Sequence, residues 1–121
     1  MLQSLLLILS LFLAGPDAPV VEWQSELSHD FGKIKYEVPA TVEFFYKNIS
    51  DQPLSIDNVR PGCGCTSPDW EDVVIQPGET GKITIEYDAL KMGYFKQKIR
   101  VYFSAQRRAE LLYIEGTVVE K

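Results

Sequence analysis

Cys63 and Cys65 lie one residue apart in the stretch Arg60-Pro61-Gly62-Cys63-Gly64-Cys65-Thr66-Ser67-Pro68, and they are the only cysteines of the 121-residue chain. The Gly and Pro content places them in a loop. Three chemistries fit two sulfurs at this spacing. In the first, they close a disulfide within the loop, favoured by an oxidising compartment. Residues two apart in an extended chain have Cα atoms about 6.6–7.2 Å apart, whereas a disulfide wants about 5.5–6 Å, so Gly64 must let the backbone turn. Chain entropy gives so small a ring only about 1.6 kcal/mol of stabilisation. Such a bond is a poor staple, and a strained, exposed disulfide belongs to the class that exchanges with other thiols. In the second chemistry, two thiolates converge on a thiophilic ion such as Cu(I) or Zn(II). A structural zinc wants four ligands, so His29, with Asp30 or Asp69, would have to complete the set. In the third, both cysteines are small apolar groups packed beneath Trp70.

Other chemistry is thin. The chain has one histidine, so any Ser/His/Asp or Cys/His arrangement would have to use His29, and no nucleophile-elbow motif accompanies it. Followed by Asp30-Phe31-Gly32, His29 reads as a turn residue bonded to backbone. Gly62-Cys63-Gly64-Cys65 lacks both the lysine and the following helix of a phosphate-binding loop. Asn48-Ile49-Ser50 matches the glycosylation acceptor pattern. The expectation is a protein that is not an enzyme, with thiol–disulfide chemistry the one reaction left open. No cofactor is expected beyond the Cu or Zn of the metal reading.

Composition points to the compartment and the fold. Of the residues, 45% are apolar and 24% charged, yet seven of the twelve leucines fall in the first 18 positions. The run containing Leu5, Leu6, Leu7, Ile8, Leu9, Leu11, Phe12 and Leu13 is too short to span about 30 Å of hydrocarbon and suits a signal-peptide core. Residues 1–18 are therefore expected to be an export signal and 19–121 one domain, delivered to the periplasm or the extracellular face of the cell envelope. No integral membrane domain is expected after signal removal. A net charge of −5 argues against nucleic acid or an anionic membrane as main partner. Lys96, Lys98 and Arg100 alternate with Phe95, Gln97, Ile99 and Val101, the pattern of a strand with one solvated face.

From Val20 onward, strand-like runs alternate with turn signals and no helical period is sustained. Seven strands are predicted: near Val20 to Ser25, Ala40 to Asn48, Leu54 to Arg60, Asp72 to Ile75, Lys82 to Tyr87, Tyr94 to Phe103 and Glu110 to Val119. Leu54, Ile56 and Asn58 are expected on one face of the third. Pro77 and Gly78 suit the central positions of a type II turn, and a polar hairpin is expected around Ala105 to Arg108. Seven short antiparallel strands in one domain predict an all-β, immunoglobulin-like sandwich.

The ordered set His29-Asp30-Phe31-Gly32-Lys33-Ile34, Tyr46-Lys47-Asn48, Pro53-Leu54-Ser55-Ile56, Val59, Cys63-Gly64-Cys65-Thr66, Pro77-Gly78-Glu79, Gly81-Lys82-Ile83, Tyr87-Asp88, Gly93-Tyr94-Phe95-Lys96 and Gly116 resembles the bacterial domain-of-unknown-function 1573 family. It covers about Leu27 to Val119. Two departures are Gly62, where the family usually has Ser, and Ser50 in place of a turn glycine. The resemblance implies an exported, often periplasmic, immunoglobulin-like domain, distantly similar to hydin and major-sperm-protein sandwiches that bind other proteins. It implies no reaction. The leading expectation is an exported protein-binding or assembly module whose functional edge is the Cys63/Cys65 loop and whose partner is another exported or envelope protein. The other expectation is a thiol redox or copper/zinc-handling protein acting through the same sulfurs.

Overall fold

The computed structural model describes residues 18–120; the apolar run expected to be an export signal lies outside the described residues. Eight strands form two sheets: β1 (Val21–Trp23), β2 (Ser28–Lys35), β3 (Ala40–Asn48), β4 (Ile56–Pro61), β5 (Thr66–Trp70), β6 (Thr80–Tyr87), β7 (Gly93–Phe103) and β8 (Glu110–Val119). The first sheet runs β1-β3-β6-β5 and the second β2-β8-β7-β4. The expected all-β sandwich is therefore present, with one more strand than predicted.

Period-2 alternation decides which face each central strand buries. Phe44 and Tyr46 of β3 and Ile83, Ile85 and Tyr87 of β6 point inward, against Ile99, Val101 and Phe103 of β7 and Leu112 and Ile114 of β8. Burying each aliphatic or phenyl side chain is worth roughly 1.5–3 kcal/mol. Between the inward residues of β7, Lys96, Lys98 and Arg100 are exposed, as their alternation predicted.

Several expectations need correction. Ser28–Lys35 is a strand, and it runs parallel to β8, so the second sheet is mixed. The register slips between Asp30 and Lys33: Gly32 takes φ +70° and its N–H donates to Asp30 Oδ1 at 2.8 Å. This bulge moves the inward position from Phe31 to Ile34, three residues on, and breaks the alternation that would have marked a strand. Thr66–Trp70 is also a strand, pairing with β6, and it tolerates Pro68 because it is an edge. Asp72 to Ile75 is not a strand; only Ile75 bridges, to Leu54. In β4, a second register slip between Ile56 and Asn58 buries Val59 where Asn58 was expected, and Asn58 Oδ1 accepts from Val59 N at 2.9 Å. The predicted type II turn is present, with Gly78 at φ +85° and Glu79 N donating to Gln76 O at 2.9 Å.

All four sheet edges carry features that discourage pairing with another chain. β1 has three residues, β2 and β4 are bulged, and β5 contains a proline.

Candidate functional site

The two sulfurs are joined in a Cys63–Cys65 disulfide, with the Cα atoms 5.3 Å apart. This selects the first of the three chemistries. The loop is pinned on both sides: Gly62 N donates to Lys98 O at 3.0 Å and Asp88 N to Cys65 O at 2.9 Å. A Cβ at Gly62 would meet Lys98 O at 3.3 Å, so the glycine lets the loop lie close against β7. Both cysteines are half-buried, and Cys65 packs against the core. Trp70 is not above them, because it pairs with Ile83 while Thr66 pairs with Tyr87 at the opposite end of β5.

Beside the disulfide opens a groove of about 500 Å³ whose wall includes Tyr87, Leu90, Lys91, Tyr94, Phe95 and Lys96. Its floor is rigid: Phe95 stacks on Tyr87 with centroids 3.8 Å apart. Burial, and secondarily the charge of Asp88, raise the Tyr87 hydroxyl above its ordinary pKa. At the rim, Leu90 is 59% exposed and Tyr94 66%. The Tyr94 hydroxyl donates to Glu115 Oε2 at 2.7 Å, which fixes the ring and raises its pKa. Met92, between them, and Val38, in the turn after β2, are exposed as well.

The two loops at this end are locked together by Glu37 N donating to Ala89 O at 3.0 Å. Glu37 and Ala89 both adopt left-handed conformations, φ 65° and 57°. Each costs a non-glycine residue about 1 kcal/mol or more and persists only where the surroundings impose it. A strained end with exposed apolar side chains at its rim thus frames the disulfide.

His29 does not join this site. It lies on β2, not in a turn, with its ring edge-on to Phe31 at 4.7 Å. Register places it opposite Ile114, which lies opposite Gln97, with β4 and its loop one strand further on. Three strand spacings amount to roughly 14 Å. Among the described residues, no group of three or more His, Cys, Asp or Glu could hold a metal ion. The acceptor-pattern Asn48 is fully buried, with Nδ2 donating to Gln52 O at 2.8 Å and Ile75 O at 2.9 Å. In the folded chain it is a structural group that a glycan could not reach.

If the ring is a weak staple, removing it changes little. Cys63→Ser/Cys65→Ser should stay folded and lose about 1–2 kcal/mol in urea unfolding. A loss of 4 kcal/mol or more, beyond the chain-entropy scale, would make the bond a structural necessity and remove the loop's freedom to do chemistry.

The fold and its loaded end define an immunoglobulin-like β-sandwich carrying a disulfide-closed loop. The PapD-like domain 7 of human CEP192 is similar at TM-score 0.72 and 11% identity, over 88% of this chain and 89% of that one. WR4, a major-sperm-protein family member from C. elegans, is similar at TM-score 0.55 and 7% identity, over 84% and 100%. A protein of unknown function from Porphyromonas gingivalis W83 is similar at TM-score 0.69 and 17% identity over 88% of this chain, which spans 50% of that one. At these identities the likeness concerns the fold. A search of curated proteins finds no match. The chain belongs to the family described as Protein of unknown function (DUF1573), whose profile matches residues 21–118.

Proposed function

We propose that this is an exported, non-enzymatic protein-binding module that seats its partner on the disulfide end of the sandwich. The observation that carries the reading is the exposure of Leu90, Met92 and Tyr94 beside a half-buried disulfide on a rigid floor. Exposed apolar groups clustered on a rigid end are costly unless something covers them. The guarded edges speak against strand addition as the mode of contact. Lys91 and Lys96 flank the groove against the single carboxylate of Asp88, in a chain of net charge −5. The partner that fits is therefore a segment of another exported or envelope protein presenting an apolar side chain next to a carboxylate. A disulfide persists in oxidising compartments, which supports a periplasmic or extracellular location. No helix among the described residues is long and apolar enough to cross a membrane.

A photoreactive residue at Met92 should cross-link the partner in cells, and Leu90→Asp should reduce the adduct at least tenfold while leaving the fold intact. Adducts unaffected by Leu90→Asp, or forming instead from probes along β5, would show that the end is not the contact surface.

A second reading is thiol–disulfide exchange through the same loop, supported by the position of Cys63 and Cys65, which both line a groove of about 500 Å³. Copper or zinc handling would require the reduced pair and ligands from the partner, since His29 is a strand-stack away.

A further inference from the structure

Thr66 is only 3% exposed. Its Oγ1 lies 3.7 Å from Cys63 Sγ and 3.7 Å from Cys65 Sγ, and among the described residues these sulfurs are the hydroxyl's hydrogen-bond partners. A disulfide sulfur is a weak acceptor, whereas a thiolate is a charged one and takes a much stronger hydrogen bond. A buried hydroxyl aimed at two sulfurs therefore gains most when the bond between them opens.

We propose that Thr66 is the catalytic donor of a thiol–disulfide exchange in which Cys63 is attacked and Cys65 leaves; this rests on the second reading above. The co-reactant is a protein dithiol on an exported partner. One partner thiolate attacks Cys63 Sγ, forming a mixed disulfide. The Cys63–Cys65 bond breaks and its electron pair goes to Cys65 Sγ, which leaves as a thiolate accepting from Thr66 Oγ1. The partner's second thiolate then attacks its own sulfur in the mixed disulfide and expels Cys63 as a thiolate. The partner departs oxidised, and the domain has gained two electrons. The order follows from placement: Cys65 is backed by the core and held through its carbonyl by Asp88 N. Cys63 stands between two glycines that carry no side chain to shield it, and it is not among the residues packed against the core.

Wild type, Thr66→Val and Thr66→Ser, each shown folded by circular dichroism, are equilibrated as full chains with dithiothreitol buffers at pH 6 and pH 9. Valine keeps the shape and removes the hydroxyl. Free cysteine titrates near 8.5, so the donor acts on thiolates at the higher pH and on neutral thiols at the lower. Thr66→Val should lower the reduction equilibrium constant about tenfold at pH 9, or about 30 mV for a two-electron couple, and far less at pH 6. Thr66→Ser should stay near wild type. Other groups facing the sulfurs are Tyr87, Asp88 and Lys91 from the end of β6 and its loop, with Tyr94 and Lys96 from β7. They are unchanged in all three proteins, so their titration cancels in the ratio.

An equal shift at both pH values, or none, overturns the proposal, because a purely structural threonine acts on both redox states alike and gives no shift, or favours one of them whatever the thiols' protonation and gives an equal one. Glutathione mixed disulfides quenched in acid and mapped by mass spectrometry should carry glutathione on Cys63; label on Cys65 overturns the order. A wild-type bond that resists millimolar glutathione overturns the exchange reading itself, whereas a reducible bond with no Thr66 effect overturns the donor alone.

Discussion

Asn48→Asp should destabilise the domain by about 3–5 kcal/mol at pH 7, the cost of a buried charge without a partner. Asn48 is 0% exposed. Its Oδ1 accepts from Ser50 N at 2.9 Å and Ser50 Oγ at 2.7 Å, and its Nδ2 donates to the carbonyls of Gln52 and Ile75. Asn48 N also donates to Glu79 O, and Gly78 N donates to Asn48 O. One residue thus ties the turn after β3 to the segment between the Leu54 bridge and β6. Aspartate can keep the two Ser50 bonds but aims its other oxygen at two carbonyls, acceptor against acceptor. Protonation relieves half of this, since the acid donates to one carbonyl. The folded carboxyl pKa must then lie above the ordinary value near 3.9. A raised folded pKa gives stability that is fully present below the unfolded value and lost as pH rises through the folded one. The gap between variant and wild type in urea unfolding should therefore narrow from pH 7 to pH 4. Asn48→Ala, uncharged, should lose about 2–3 kcal/mol with a gap independent of pH. An Asn48→Asp variant within 1 kcal/mol of wild type at pH 7, below the desolvation cost of an unpaired buried group, or a gap that widens in acid, would sink this account.

What was legible follows from how each strand is used. The central strands β3, β6, β7 and β8 bury one face each and announce themselves by strict alternation. The edge strands β2 and β5 do not: the Gly32 bulge interrupts the inward parity of the first, and Ser67, Pro68 and Asp69 read as turn formers in the second. The devices that protect an edge are those that hide it from a pattern search. In the candidate site, Cys63 and Cys65 were evident, but Thr66 carried no signal because its role depends on burial beside the sulfurs. Asn48 had a readable signal, since it continues the inward parity of Val42, Phe44 and Tyr46, where a polar residue must be fully bonded. Leu90, Met92 and Tyr94 could not be singled out, because an apolar residue in a loop is ordinary until its exposure is known.

The disulfide end also depends on a glycine far from it in sequence. Gly116 lies opposite Phe95 in the β7–β8 register and beside the Gly32 bulge, and a Cβ there would come 2.9 Å from Phe95 Cζ and 3.0 Å from Gly32 O. The same cross-strand arrangement recurs in the other sheet, where Tyr46 covers Gly81. Phe95 cannot swing aside, because its ring is stacked on Tyr87 and flanked by Phe31 at 6.4 Å. Nor can the Gly32 carbonyl, which is backbone. Gly116→Val should therefore cost at least about 3 kcal/mol, the upper range for overpacking, and Gly116→Ala about 1–3 kcal/mol. Phe95 forms the groove wall beside Cys63 and Cys65, so the displaced ring should also alter how fast a small thiol reaches the disulfide. A double-mutant cycle isolates the clash. In a Phe95→Leu background the alanine penalty should shrink by about 1 kcal/mol or more, the coupling expected of residues in direct contact. The part due to Gly32 O should remain. Additive losses would mean that the ring is not what excludes a side chain at 116, and that the groove floor is not coupled to the β8 glycine.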